Sequence, residues 1–292
     1  MNLFKKAIFF TDIHFGLKSN SRTHNQDCLD FVDFVIKTGK EQNCETCVFL
    51  GDWHNNRASL QIGTLNYSVQ AIDKLSAAFD QIIFIPGNHD EHYRDTREMN
   101  SVVWAKKYEN VRMFDEITTV DDVCITPWLV GDEHKQIKKI EAKYMFGHFE
   151  LPTFYMNAMV QMPDVGDLRR DDLKCETVFT GHFHKRQTSK NITYIGNAFP
   201  HNYADVGDDD RGCMILDWGK DPVYVSWPDA PKYRKFLLSQ ILEDTDRLLQ
   251  SNMYCRVEID VDISYEEATF IKEQFIPQYN LRELSLIQRT DI

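Results

Sequence analysis

Residues 7–16 read AIFFTDIHFG, where the apolar run 7–10 meets a polar turn that carries Asp12 and His14. The length and aromatic content of the run predict a buried β-strand. Asp12 and His14 are two residues apart at the strand's end, so their side chains point to the same side. Four more short runs end at a glycine and a polar residue: 46–50 at Gly51-Asp52, 81–85 at Gly87-Asn88, 143–146 at Gly147-His148 and 176–180 at Gly181-His182.

Helix-like stretches separate these strands, at residues 27–40, 60–79, 101–108 and 133–142. Strand-helix alternation favours a mostly parallel sheet with helices outside it. From about residue 111 the pattern changes to strands with short turns, which predicts a second and more antiparallel sheet. Its expected strands are 111–114, 123–127, 192–195, 213–218 and 223–227.

Two prolines in four residues, Pro228 and Pro231, mark the best domain boundary. We therefore expect one domain over residues 1–228 and a second over residues 229–292. The second domain is predicted to be a compact α/β unit. Its expected elements are a helix at 237–249, a strand at 254–261, a helix at 265–275 and a strand at 281–287.

The composition is that of an ordinary globular protein, with 42% apolar and 27% charged residues among 292, and it excludes wholesale disorder. No apolar run approaches the roughly 20 residues of a membrane helix, so we expect no membrane association. Seven cysteines without a secretory signal predict reduced thiols in a cytoplasmic protein. The net charge of −12 argues against binding nucleic acid through bulk electrostatics, although bound cations would change the sign locally.

Seven oxygen and nitrogen donors follow the predicted strands closely. Because the carboxyl ends of neighbouring strands share one sheet edge, we expect these donors to converge. Two carboxylates, one amide and four imidazoles are too many ligands for one catalytic ion, and they suit two ions about 3.5–4 Å apart that share a carboxylate. The absence of thiolate favours Mn²⁺, Fe²⁺ or Zn²⁺ over Ca²⁺ or Mg²⁺. The donors are Asp12, His14, Asp52, Asn88, His148, His182 and His184.

These motifs resemble the five ordered motifs of the calcineurin-like metallophosphoesterases: Asp12-Ile-His14, Gly51-Asp52, Gly87-Asn-His-Asp90, Gly147-His148 and Gly181-His-Phe-His184. Within that superfamily the chain is most similar to the Mre11/SbcD DNA-repair nucleases, especially the bacteriophage recombination-nuclease subunits. The resemblance implies a four-layer α/β/β/α sandwich followed by a small C-terminal α/β capping domain. It also implies a Mn²⁺-dependent exonuclease and single-strand endonuclease that acts on DNA in repair and recombination.

Carried over by motif, the resemblance divides the donors between two metals that share Asp52 as the bridge. It implies that His89 is a proton donor and not a ligand. It also implies a partner ATPase of the Rad50/SbcC type, and the host cytoplasm as the location if the source is a bacteriophage. One metal would be held by Asp12, His14, Asp52 and His184, and the other by Asp52, Asn88, His148 and His182.

One departure from the family pattern concerns Asn55, because family members often have Asp or His at that position. Asn55 could accept a hydrogen bond from His89, but without charge it would stabilise an imidazolium less. Asn55 and His54 are also candidate substrate contacts. Phe154 and Tyr155 could stack on a splayed base, and packing of a long loop explains them equally well.

Three alternatives remain open from the sequence. The helix at 60–79 faces the core, and by resemblance it could also form a homodimer interface. The substrate could be a nucleotide, a cyclic phosphodiester or a phosphoprotein in place of DNA. An inactive scaffold is the third alternative, which the complete donor set opposes because unused buried polar groups are costly.

Overall fold

The computed structural model describes residues 2–157 and 159–288, and the chain divides into two compact units. The first unit comprises the chain up to Ala198 together with Asp210–Trp227. The second comprises Phe199–Asp209 and the chain from Pro228 onwards. In the described part of the chain, no helix has both the length and the apolar character needed to cross a bilayer.

The first unit contains two six-stranded sheets. The first sheet has the order β12-β11-β1-β2-β3-β4, and its strands are β1 (Lys6–Phe10), β2 (Thr46–Phe49), β3 (Gln81–Phe84), β4 (Val111–Met113), β11 (Gly212–Asp217) and β12 (Val223–Ser226). The second has the order β5-β6-β7-β8-β10-β9, and its strands are β5 (Thr118–Val120), β6 (Val123–Ile125), β7 (Tyr144–His148), β8 (Thr177–Gly181), β9 (Gln187–Ser189) and β10 (Ile192–Tyr194).

The helices of the first unit are few and unequal in length. Two long helices and two single turns account for the α-helical residues that the structure describes there: α1 (Leu17–Asn20), α2 (Arg22–Glu41), α3 (Ile62–Ala78) and α4 (His134–Ile137). The predicted helix at 101–108 is a 3₁₀ turn, Val103–Lys107, and the predicted helix at 133–142 is reduced to α4. That last segment buries Ile137 alone among the residues of α4, too little to hold a longer helix in place.

The strand directions confirm one part of the predicted topology and correct another. Strands β1, β2 and β3 are parallel, as the sequence predicts. Strand β4 continues this parallel sheet, which corrects the assignment of residues 111–114 to the second sheet. The second sheet is not mainly antiparallel, because β6, β7, β8 and β10 run parallel and the antiparallel strands β5 and β9 lie at its edges. The hairpin of β11 and β12 belongs to the first sheet, where Ile215 pairs with Ile8. Tight turns thus predict the hairpin but not the sheet that it joins.

The two sheets pack face to face through an aromatic core. Phe9 of the first sheet meets Phe146 of the second with ring centroids 5.0 Å apart, and Phe179 lies 6.1 Å from Phe9. All three side chains are at most 1% exposed. Each buried aromatic ring of this kind contributes about 2–3 kcal/mol by area removed from water. This contact fixes the distance between the two sheets and therefore between the ends of their strands.

The outer faces of the two sheets are covered in different ways. Helices α2 and α3 cover the first sheet, where Phe31 of α2 packs on Phe10 with centroids 5.8 Å apart. On the second sheet, α4 and the segment between β7 and β8 bury a cluster that includes Phe149, Leu151, Leu168 and Leu173. The fold is therefore the expected mixed α/β sandwich, but both of its sheets are rich in parallel strands and its fourth layer is mostly loop.

The second unit has a three-stranded parallel sheet in the order β13-β14-β15. A core that includes Cys255, Val257 and Leu284 lies between the sheet and its helices. The sequence analysis missed β13, and the predicted helix at 237–249 is two short helices that meet at Asp244. The elements are β13 (Lys232–Leu237), α5 (Leu238–Glu243), α6 (Thr245–Leu248), β14 (Met253–Ile259), α7 (Tyr265–Gln278) and β15 (Glu283–Gln288).

Glu91 is a buried carboxyl group in the first unit. Glu91 is 1% exposed, and neither of its carboxylate oxygens has a hydrogen-bond partner among the described residues. Burial and the negative charge of Asp90 raise the pKa of Glu91 from 4.5 to about 7. The folded state therefore binds this proton more tightly than the unfolded state, and stability falls as the pH rises from about 4.5 to 7.

We predict that Glu91→Gln stabilises the protein more at pH 8 than at pH 5. The difference should be on the order of 2–3 kcal/mol, because glutamine removes the cost of a buried charge. Denaturant unfolding at the two pH values measures it, with Glu98→Gln as an exposed control that should show little difference. An equal effect of Glu91→Gln at both pH values would contradict this account.

Candidate metal centre

The seven donors come from both sheets of the first unit. Asp12, Asp52 and Asn88 follow β1, β2 and β3 of the first sheet. His148 is the last residue of β7, and His182 and His184 follow β8 of the second sheet. The predicted convergence at the edge of one sheet is therefore a convergence at the adjoining carboxyl ends of two sheets.

Asp52 stands at the centre of the cluster. Its Oδ2 atom lies 3.6 Å from His14 Nε2 and 3.4 Å from His148 Nε2. On one side, Asp12 Oδ1 lies 3.8 Å from His14 Nε2 and 4.0 Å from His184 Nε2. These separations are too long for good hydrogen bonds, and they are the spacing of donor atoms that face a common centre.

On the other side of Asp52, the Asn88 amide faces two imidazoles. Asn88 Oδ1 lies 3.1 Å from His148 Nε2 and 2.9 Å from His182 Nδ1. His148 Nδ1 donates to the carbonyl of Leu50 at 2.7 Å, which fixes the ring and leaves Nε2 facing the cluster. The structure thus brings all seven predicted donors together.

The buried carboxylates are anchored through one oxygen each. Asp12 Oδ2 accepts from Thr11 Oγ1 at 2.7 Å and from the backbone N–H of His182 at 3.0 Å. Asp52 Oδ1 accepts from the backbone N–H of His89 at 2.8 Å. Asp12 Oδ1 accepts no hydrogen bond from the described residues, although it is buried. A buried anionic oxygen without a donor is costly, so the arrangement fits a bound cation.

The backbone around the cluster is strained. Asp12, His14, Asp52 and His182 all have left-handed φ angles, between 51° and 90°. Non-glycine residues adopt this region at a cost of about 1–3 kcal/mol each, and such residues concentrate at functional sites. The strain turns these side chains towards a common point at the ends of their strands.

Two glycines allow the loops of the cluster to approach each other. A Cβ atom at Gly51 would lie 2.4 Å from His148 Nδ1. One at Gly87 would lie 2.2 Å from Asp52 Oδ1. Neither position has room for a side chain, which explains the glycines that precede Asp52 and Asn88.

Asp90 is a positioning residue to which the sequence analysis assigned no role. Its buried carboxylate accepts from four backbone N–H groups at 2.9–3.2 Å, and so it ties the loop after β2 to the loop after β3. The available signal was its place as the last residue of the Gly87-Asn-His-Asp90 motif. The four donors are the amides of Asp52, Trp53, His54 and Gly87.

Charge within the cluster favours ionised carboxylates and protonated imidazole. Burial opposes ionisation of Asp12, but the nearby His14 and His148 imidazoles outweigh it and lower the pKa of Asp12 to about 2. Burial likewise opposes protonation of His148, but Asp52 raises the pKa of His148 to about 9. The carboxylates therefore create a strong local preference for positive charge.

His89 lies against the cluster and is held by a backbone group. Its Nδ1 atom donates to the carbonyl oxygen of Asn55 at 2.7 Å, and its ring lies 4.9 Å from the His14 ring. Burial lowers the pKa of His89, and the Asp52 charge opposes that effect. The expected contact with Asn55 exists, but the backbone makes it, so the missing charge at this position does not alter the orientation of His89.

Two of the candidate substrate contacts lie in the interior. His54 is fully buried, both ring nitrogens lie 2.8 Å from serine hydroxyls, and burial lowers its pKa to about 3. Phe154 is 3% exposed and packs on Tyr194. The structure corrects the expectation for His54, and for Phe154 it supports packing of the loop over contact with a base. Tyr155 is 40% exposed, with the Lys185 ammonium 4.8 Å from its ring centre, and it remains a candidate.

The comparison with protein families gives one decisive match. The calcineurin-like phosphoesterase family matches residues 5–186, which hold all seven donors. The chain belongs to the calcineurin-like phosphoesterases. Members of this family use divalent metals, and clusters of His and Asp here could hold such ions, among them Asp52 with His148 and His182. His89 also lies within reach of His14 and Asp52, so its role as a non-ligand stays a prediction.

Two individual proteins are similar to this phosphoesterase. Exonuclease subunit 1 of Enterobacteria phage T4 is 29% identical over 222 residues, which are 73% of this chain and 64% of the relative. The match therefore spans less than two thirds of the relative's length. The Pseudomonas putida nuclease MPE, known from a crystal structure, is 16% identical in sequence to this chain. Its TM-score of 0.33 over 62% of each chain is too low to indicate a shared function.

We predict that Gly87→Ala disrupts the centre of the site. The new methyl group must displace Asp52, and a displacement of about 1 Å should reduce phosphodiesterase activity by about 100-fold. Hydrolysis of bis(p-nitrophenyl) phosphate with Mn²⁺ measures the loss. The matched control is Gly63→Ala in α3, where a Cβ meets nothing within 4 Å. That variant should keep its activity, and its free energy of unfolding should rise by up to about 1 kcal/mol. Equal activities of the two variants would contradict the prediction.

Proposed function

We propose that this protein is a DNA nuclease of the Mre11/SbcD type with a dinuclear metal centre. In this proposal residues 1–228 form the nuclease domain and residues 229–292 a capping domain. The observation that carries the proposal is the position of Asp52 Oδ2, which lies 3.6 Å from His14 Nε2 and 3.4 Å from His148 Nε2. One carboxylate oxygen thus faces both groups of donors, a position that suits a bridging ligand.

Two divalent ions fit this donor set. The all-oxygen-and-nitrogen set favours Mn²⁺, and Fe²⁺ and Zn²⁺ also suit it. When bound, two such ions supply the positive charge that holds a phosphodiester and lowers the pKa of an attacking water. One ion would be held by Asp12, His14, Asp52 and His184, and the other by Asp52, Asn88, His148 and His182.

His89 is the residue that we propose for protonating the departing oxygen. Its Nδ1 proton is engaged by the Asn55 carbonyl, so Nε2 is the ring atom available to substrate. In the neutral ring Nε2 carries no proton, so the acid is the imidazolium form, which would give its Nε2 proton to the departing oxygen and keep Nδ1 bonded to Asn55. The fixed ring needs no reorientation for this transfer, which favours general-acid catalysis.

DNA is the substrate that we favour, because the T4 relative is named as an exonuclease subunit. Both exonuclease action on DNA ends and endonuclease action on single strands fall within this proposal, as does a role in DNA repair and recombination. A phosphoesterase acting on a nucleotide, a cyclic phosphodiester or a phosphoprotein is the second candidate, since the family motifs are shared. An inactive scaffold is disfavoured by the buried Asp12 Oδ1, which accepts no hydrogen bond from the described residues.

End-labelled single-stranded and duplex DNA with Mn²⁺ test this proposal directly. We predict nucleotide release by the intact protein, and loss of at least about 1,000-fold in Asp52→Asn, which removes the shared anionic oxygen. Bis(p-nitrophenyl) phosphate serves as the parallel substrate. Hydrolysis of the chromogenic ester without any cleavage of DNA would refute the nuclease and favour the second candidate.

We predict that His89→Ala keeps its metal content and loses about 10²–10⁴-fold in rate on DNA. Elemental analysis of Mn²⁺-loaded protein and single-turnover cleavage measure the two quantities. An ester with a very good leaving group should suffer much less, because its oxygen needs no proton. Loss of an ion from the variant would show instead that His89 is a ligand.

The proposal also includes partners and a location. A partner ATPase of the Rad50/SbcC type agrees with the word "subunit" in the name of the T4 relative. Exposed apolar residues on α3, Ile62 at 80% and Leu65 at 37%, support a homodimer interface there. If the source is a bacteriophage, the protein would act in the cytoplasm of the host.

The net charge of −12 predicts that the isolated protein binds duplex DNA weakly. Affinity should show a shallow salt dependence, since few phosphates are neutralised by lysine or arginine. Fluorescence anisotropy at two salt concentrations measures it. Nanomolar binding with a slope that reports about six phosphates or more would contradict dependence on a partner.

A further inference from the structure

A cavity of about 240 Å³ lies beside His148, at the edge of the donor cluster. It is large enough for one flat ring system and too small for a base pair. Its wall combines apolar side chains with two carboxyl groups, and its lining includes Trp128, Met162, Leu168, Glu150 and Asp167.

Trp128 connects the cavity with the candidate ligands. Its indole lies 5.1 Å from the His182 ring and 6.1 Å from the His148 ring, measured between ring centres. The residue is half-exposed, so part of the indole is open to a ligand. A group stacked on this side chain would lie within one nucleotide of a phosphate held at the metal centre.

The backbone of Trp128 is fixed on both sides. Its N–H donates to the carbonyl of Pro86 at 3.1 Å, and its carbonyl accepts from the Arg97 guanidinium at 2.7 Å. Arg97 also forms a salt bridge with Glu133. A half-exposed indole on a backbone that is held in this way is a preorganised stacking surface.

The charged groups of the cavity do not favour a phosphate. Among the described residues, no lysine or arginine lines it, and the lining holds Glu150 and Asp167 beside the imidazoles of His134 and His148. His148 would be neutral as a metal ligand, so the two acidic residues would then repel an anion. Carboxylates accept hydrogen bonds from the N–H groups of nucleobases. The cavity is therefore suited to a flat, uncharged ring with N–H donors, while the phosphate of the same nucleotide is drawn to the cations.

We propose that this cavity binds the unpaired nucleobase of a nucleotide next to the scissile phosphodiester, with Trp128 as the stacking residue that determines specificity. The inference rests on the proposed nuclease function and adds a requirement to it. A base that enters the cavity cannot remain paired, so the enzyme should prefer single strands and frayed ends. Stacking of one base on an aromatic side chain contributes about 1–3 kcal/mol, or about 5–150-fold in kcat/KM.

The test compares oligonucleotides that hold one cleavable phosphodiester among phosphorothioate linkages. One substrate carries a base at every nucleotide. Each of the other two has a single abasic analogue, in one substrate on the 5′ side and in the other on the 3′ side of the cleavable bond. For the Mn²⁺-loaded wild type, we expect kcat/KM to fall by about 5–150-fold with one abasic substrate. In Trp128→Leu this ratio should approach one. Trp104→Leu is the control, since Trp104 lies outside the cavity and its N–H is bonded to the Ser101 carbonyl, and it should keep the wild-type ratio.

Equal cleavage of all three substrates by the wild type would overturn the cavity proposal and leave the nuclease proposal intact. The same conclusion follows if Trp128→Leu, shown to be folded by circular dichroism and fully loaded with Mn²⁺, keeps the wild-type ratio. Absence of cleavage of every substrate would overturn the nuclease, and a fluorescence titration with adenosine then decides the cavity alone. Quenching in the wild type and in Trp104→Leu that disappears in Trp128→Leu supports base binding. Quenching that is absent from the wild type refutes it.

Discussion

One buried carboxylate, that of Asp90, holds together the loops on which the site depends. It gathers four backbone amides, from the loop after β2 and the loop after β3, at hydrogen-bond distance. Two of these amides belong to Asp52 and Gly87. The Asp90 side chain therefore fixes the backbone of Asp52, and with it the position of the Asp52 carboxylate. Burial and the charge of Asp52 raise the pKa of Asp90 to about 7, and the hydrogen bonds from the backbone N–H groups oppose this effect by stabilising the ionised form.

The aromatic core explains why the donors of two separate sheets can meet. Phe9 and Phe146 hold the sheets face to face, and the same strands carry Asp12 and His148 at their ends. Glycines at 51 and 87 then permit a backbone approach that any side chain would block. Core packing therefore sets the distance between the two groups of donors, and the strained turns set the direction of each donor.

The sequence predicted that these seven side chains lie together because each follows a short buried run closely, four of them just after a glycine. It predicted the parallel strands β1 to β3 because short apolar runs alternate in that part of the chain with segments of helical periodicity. It assigned the hairpin of β11 and β12 to the wrong sheet, because pairing between distant strands leaves no local pattern. Burial was equally invisible for His54 and Phe154, whose residue types suit a surface and an interior alike. The role of Asp90 depends on two loops that meet only in the folded chain.

Anomalous X-ray diffraction from crystals grown with Mn²⁺ is the sharpest test of a dinuclear centre bridged by Asp52. Data collected on either side of the manganese edge locate each ion without reference to activity. We expect two anomalous peaks per chain, one on each side of Asp52 Oδ2, with His14 and His184 beside one and His148 and His182 beside the other. A single peak at full Mn²⁺ saturation, or two peaks that do not share Asp52, would contradict it.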